Sequence, residues 1–131
     1  MLKPFLDAIR FLAAGALLFA AAAQADQRFD AKALAAAQAT GRPVLVHVNA
    51  DWCTTCAQQR AVLSDLLKRP EFRDFQVLKV DFDTQKPELK ALRVRDRSTL
   101  IVYRGARELG RSSFETSKER IAALLEKAVH G

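Results

Sequence analysis

The chain has 131 residues, half of them hydrophobic and 27% charged, with a net charge of +6. That length suits one compact domain and is too short for two. The charge content excludes a membranous chain beyond the first segment, and neither a repeat nor a low-complexity run follows the alanine-rich start. The basic residues are scattered, densest at Arg93, Arg95 and Arg97, with no aromatic stacking set beside them. A nucleic-acid role therefore has little support. The surface reads as solvated, or as a face that docks an acidic partner.

Residues 1–25 read as a targeting signal. Lys3 and Arg10 are the positive region, residues 11–23 are an apolar run, and Ala23-Gln24-Ala25 is a small-x-small cleavage pattern. The run is short for a spanning helix, which needs about 20 apolar residues. An uncleaved anchor is the competing reading. Cleavage after Ala25 removes Lys3, Arg10 and Asp7 and leaves residues 26–131 with 19 basic and 14 acidic side chains. Export to the periplasm is expected, where disulfides persist.

In chain order, Asp30 can cap a helix through Ala31–Ala39, which Gly41 ends. Val44-Leu45-Val46-His47-Val48 is β-branched and apolar on both faces, as in a buried strand of a parallel sheet. A helix follows from about Cys53 to Lys68, with Val62, Leu63, Leu66 and Leu67 inward. Phe75–Asp81 predicts a second strand, Pro87–Leu92 a short helix, and Thr99–Tyr103 a third strand. Arg104–Arg107 is a turn into a fourth strand over Glu108–Ser112, making a hairpin. Ser117 caps a last helix through Val129. The order predicts an α/β fold: a mixed central sheet with helices on both faces and an antiparallel edge. The strand–helix–strand units imply right-handed parallel crossovers.

Two cysteines, Cys53 and Cys56, stand three positions apart after the buried strand, at the start of a helix. The loop they close is too small to staple a fold, so the pair calls for a chemical explanation. A helix N-terminus offers unpaired N–H groups and the positive end of the dipole, which favour a thiolate. Cys53 is expected to be exposed and nucleophilic. Cys56, one turn in, is expected to be buried and to resolve the mixed disulfide.

The string Ala50-Asp51-Trp52-Cys53-Thr54-Thr55-Cys56 and the element order resemble the thioredoxin family over nearly all of residues 26–131. Within it the likeness is to exported thioredoxin-like proteins and to the thioredoxin domain of bacterial transmembrane thiol reductases. The resemblance implies a thioredoxin fold and thiol–disulfide exchange with protein thiols and disulfides. It also implies no added cofactor, and Trp52 shaping a docking surface beside the disulfide. A monomer is expected, served by an unidentified electron-donating or electron-accepting partner.

Three positions depart from the family pattern. Thr54-Thr55 between the cysteines leaves the direction of electron flow open, with reduction or isomerisation favoured over primary oxidation. His47 stands where the family has a buried acid. It is either a core histidine or a proton acceptor for Cys56, and Lys79 stands one strand over, where the family has a lysine. Arg97-Ser98-Thr99 occupies the substrate-docking loop, with Ser98 in place of a proline that follows a cis bond, and a cis Arg97–Ser98 bond is expected here. His130, next to the C-terminus, is expected to be solvated. The rival functions are a metal-binding module and a redox-inert interaction domain. One Cys-X-X-Cys pair supplies only two of the four ligands of a closed zinc site, so no metal set is assigned.

Overall fold

The computed structural model describes residues 26–130, so the leader expected at residues 1–25 lies outside the described residues. Five strands and four helices follow: β1 (Gln27–Arg28), α1 (Ala31–Ala39), β2 (Pro43–Asn49), α2 (Thr54–Leu66), β3 (Gln76–Asp81), α3 (Lys86–Ala91), β4 (Thr99–Arg104), β5 (Arg107–Ser113) and α4 (Lys118–His130). A 3₁₀ turn, Pro70–Phe72, joins α2 to β3. The sheet order is β1-β3-β2-β4-β5.

The all-apolar reading of β2 is explained by its place at the centre of the sheet, where every residue is buried. It runs parallel to β3 and antiparallel to β4. The unit β2-α2-β3 is a parallel crossover, and so is β1-α1-β2, since β1 and β2 both run parallel to the β3 between them. The unit β3-α3-β4 instead brings β4 back on the far side of β2 in the opposite direction, which corrects the sequence reading. Hydrophobic pattern reports burial, and both neighbours of β2 bury it equally well whichever way they run. The two-residue β1 was also missed, because it is polar and exposed and is held only by parallel pairing to β3.

Alternation along β2 divides the core in two. Leu45 faces Leu63, Leu66, Leu100, Val102, Ile121 and Leu125, the layer under α2 and α4. Val44, Val46 and Val48 face Ala37, Leu78, Leu89 and Ile101, the layer under α1 and α3. Each fully buried Leu or Ile contributes about 1.5–3 kcal/mol. This packing fixes two points for the site. His47, on the Leu45 face, points under α2. The C-terminal end of β2 delivers the chain to the turn before α2. The caps also follow the sequence: Asp30 accepts from the Ala33 N–H at 2.7 Å, and Ser117 accepts from the Arg120 N–H at 3.3 Å.

Candidate active site

Cys53 is the N-cap of α2, and its Sγ accepts the Cys56 N–H at 3.2 Å. Capping satisfies one of the orphan amides of the helix and sets the sulfur at the positive end of the dipole. Both thiols are free. Cys56 is fully buried, and Cys53 is only 3% exposed, against the expectation of an open thiol. The cover is the loop before β4. The Ser98 hydroxyl stands 3.1 Å from each sulfur. Sequence spacing placed Cys53 at a helix end but could not show that a loop 45 residues later returns to cover it.

Burial pushes the Cys53 thiol up in pKa. Hydrogen bonds from the Cys56 thiol, Ser98, the Cys56 N–H and Arg97 outweigh that and lower it from 9.0 to about 7. A neutral solution thus holds a large thiolate fraction at Cys53.

The Arg97–Ser98 bond is trans, as is every peptide bond among the described residues, which overturns the cis expectation. Ser98 instead takes φ 59°, in the left-handed region. Its N–H donates to Val48 O at 2.9 Å, and its carbonyl accepts from Phe114 N–H at 3.0 Å and Gln59 Nε2 at 2.9 Å. A cis bond before a non-proline residue costs about 2.5–4 kcal/mol, whereas one left-handed residue costs roughly 1–2 kcal/mol. The cheaper distortion still points the hydroxyl between the sulfurs. Thr99 turns inward, with its hydroxyl on Asp96 O at 2.7 Å and Ser113 Oγ at 2.9 Å. Of the three loop residues singled out from sequence, only Arg97 keeps its side chain partly at the surface.

His47 is buried and lies in register with Lys79 on β3. It bonds Gln59 rather than Cys56: its Nε2 lies 3.1 Å from Gln59 Oε1. The Gln59 amide nitrogen donates to Ser98 O and Glu115 O, each at 2.9 Å, so its oxygen must accept and His47 carries its proton on Nε2. Burial lowers the His47 pKa from 6.5 to about 4, opposed by the Gln59 bond and assisted by the Lys79 charge. His47 is therefore neutral at neutral pH. Lys79 pairs with Asp26 at 3.1 Å, a half-exposed contact worth little on its own.

Trp52 is 59% exposed and donates its indole N–H to Asp83 Oδ2 at 2.8 Å. It is a surface residue rather than a core aromatic. His130 is exposed. Sequence reasoning missed Gln59, Asp83 and Phe114. Gln59 had a visible signal: Cys56, Gln59, Leu63 and Leu66 form the buried stripe of α2, and a lone polar residue on such a stripe must find partners. Among the described residues, no group of three or more His, Cys, Asp or Glu could hold a metal ion.

A dithiol at a helix N-terminus, at the end of the central strand of this sheet, defines a thiol–disulfide oxidoreductase. The comparisons agree: the family profile for thioredoxin matches residues 21–127, and the chain belongs to the thioredoxin family. It is similar to the structure of Trxlp from Edwardsiella tarda EIB202, at 44% identity and TM-score 0.74, covering 77% of this chain and 98% of that one. Thioredoxin from Trypanosoma brucei brucei shares the fold at 17% identity and TM-score 0.72, covering 86% of this chain and 97% of that one. A mutant thioredoxin from Halobacterium salinarum NRC-1 does so at 21% and 0.69, covering 79% and 89%. No curated protein matches the chain.

Ser98 gives the first prediction. Ser98→Pro loses the N–H bond to Val48 and cannot adopt φ 59°, so it should destabilise by about 2 kcal/mol or more in urea unfolding. Ser98→Gly keeps the backbone conformation and removes the hydroxymethyl group. It should fold at least as well, with a higher Cys53 pKa in a thiolate-absorbance titration. A stabilised Pro variant, or a Gly variant with an unmoved pKa, would contradict the geometry.

His47 gives the second. Its pKa is lower folded than unfolded, so the stability it supports is complete above about pH 6.5 and is lost as pH falls toward about 4. The loss amounts to roughly 3 kcal/mol. His47→Leu should be weaker at neutral pH by about 1–3 kcal/mol, because the Gln59 oxygen is orphaned. It should also lose less stability between about pH 7.5 and about pH 4.5 than the parent. Equal acid slopes would show that His47 is charged in the fold.

Proposed function

We propose that this protein reduces or isomerises disulfides of protein substrates in the cell envelope through Cys53 and Cys56. The observation that carries the reading is the Cys53 sulfur at the cap of α2, bonded to the Cys56 N–H and the Ser98 hydroxyl, with Cys56 buried one turn behind. The Cys53 thiolate attacks one sulfur of a substrate disulfide. A bond forms to Cys53, the substrate S–S bond breaks, and the departing thiolate takes a proton. Cys56 then gives up its proton to solvent and attacks the Cys53 sulfur. The Cys53–substrate S–S bond breaks, the Cys53–Cys56 disulfide closes, and the second substrate sulfur leaves as a thiolate that takes a proton from solvent. Two electrons pass to the substrate, and a partner dithiol protein restores them.

Ser98 suits both steps. Its hydroxyl stands 3.1 Å from each sulfur, so the O–H donates to the Cys53 thiolate in the first step and, once Cys53 is in the mixed disulfide, to the Cys56 thiolate that attacks in the second. His47 lies two hydrogen bonds from the Ser98 carbonyl through Gln59, so its part is to hold the loop rather than to take the proton directly. The reducing direction is supported by the Cys53 pKa of about 7. A strong oxidase holds its attacking thiol near 3.5, which stabilises the reduced form far more.

The test is trapping. At neutral pH Cys53 should alkylate faster than Cys56, and Cys56→Ser should accumulate a mixed disulfide through Cys53. Trapping only through Cys56, in Cys53→Ser, would reverse the roles.

Envelope location rests on residues 1–25: the charged start, the apolar run and Ala23-Gln24-Ala25. Mass spectrometry of the protein from an envelope fraction should give Asp26 as the first residue. A full-length, membrane-retained species would favour the anchor.

A further inference from the structure

The two exposed large hydrophobic side chains among the described residues, Trp52 and Phe114, flank one arginine. The Arg97 guanidinium lies 4.8 Å from the Trp52 ring centroid and 5.6 Å from that of Phe114. Phe114 is held there in a conformation unusual for a bulky residue, φ 60°, by its N–H bond to the equally left-handed Ser98. Bulky residues at positive φ are genuine outliers, and such strain clusters at functional sites. Arg97 makes no ion pair among the described residues, and its Nε is buried without a partner.

Resting on the exchange reading above, we propose that Arg97, framed by Trp52 and Phe114, is a specificity site that docks an acidic side chain next to the target cysteine of a protein substrate. Stacking holds the guanidinium beside Cys53 with little freedom left to lose, so a carboxylate gains an oriented partner. Charge on the neighbouring groove favours the same occupant. Phe82, packed against the Ala50–Cys53–Cys56 cluster, begins a cleft of about 610 Å³ that is also lined by Lys86, Lys90 and Arg95. None of these three cations is in an ion pair among the described residues. Asp51 and Asp96 adjoin Trp52 and Arg97 in the chain, and Asp83, brought in by the fold, is committed to Trp52. Of the unpaired cations, Arg97 is the one next to Ser98, which touches both sulfurs, so discrimination beside the target cysteine falls to it.

The test uses three short peptides with one cysteine, preceded by Glu, Gln or Lys and blocked as the neutral 2-pyridyl disulfide. Reduced protein attacks the peptide sulfur, releases 2-thiopyridone, and frees the peptide thiol as the Cys53–Cys56 disulfide closes. The second-order rate constant should be about three- to tenfold higher for Glu than for Lys at low ionic strength, the range of one partly exposed ion pair, and the ratio should shrink with salt. Arg97→Ala should bring the ratio toward one. Arg97→Glu should invert it, which a misfolded variant cannot do, since loss of fold slows all three peptides alike. Exchange with all three peptides at an unchanged ratio in both variants would overturn this inference and leave the proposed function standing. No exchange with any peptide by the parent protein would overturn both.

Discussion

The site depends on how Ser98 is anchored. Its N–H binds the end of β2, its carbonyl binds α2 through Gln59 and the end of β5 through Phe114, and its hydroxyl sits between two sulfurs. A residue in a left-handed conformation persists only where the surroundings over-determine it. Three hydrogen bonds to its backbone, from β2, the Gln59 side chain of α2 and the residue after β5, do that here. They convert a sheet-level arrangement into a position accurate enough to set the protonation of a thiol.

Electrostatics at Cys53 follow from that anchoring. Taking a thiolate out of water raises its pKa, and only donors already aimed at the sulfur can reverse the effect. The α2 amide supplies one and Ser98 another, and neither has to reorganise when the thiol ionises. The same logic accounts for His47. A neutral imidazole can be buried at the place of an acid because Gln59 accepts its proton, and Gln59 in turn has every polar atom satisfied. The histidine thus supports the loop through Gln59, while Arg97 of the same loop stacks on Trp52 and Phe114.

Burial explains where reading the chain residue by residue succeeded. The apolar stripes of α2 and α4, the run in β2 and the caps at Asp30 and Ser117 are local signals, and each element appears within a residue or two of where they put it. The direction of β4 was not legible, because a strand buried on both edges carries the same residues beside a parallel or an antiparallel neighbour. Nor was β1, whose two polar residues are strand only through pairing with β3.

For the chemistry, the sequence by itself determined the dithiol, its place between a buried strand and a helix, and the exchange reaction that follows from a thiol at a helix N-terminus. Those are short-range facts: three residues of spacing and one helical turn. Only the tertiary structure decided what surrounds the thiols. It placed Ser98 against both sulfurs in trans, turned His47 to Gln59 rather than to Cys56, and brought Phe114 across to Arg97 and Trp52. Each of these joins residues 12 to 62 positions apart in the chain. Periodicity and capping act over a few residues, so contacts at that separation are set by how the sheet and its two helical layers pack.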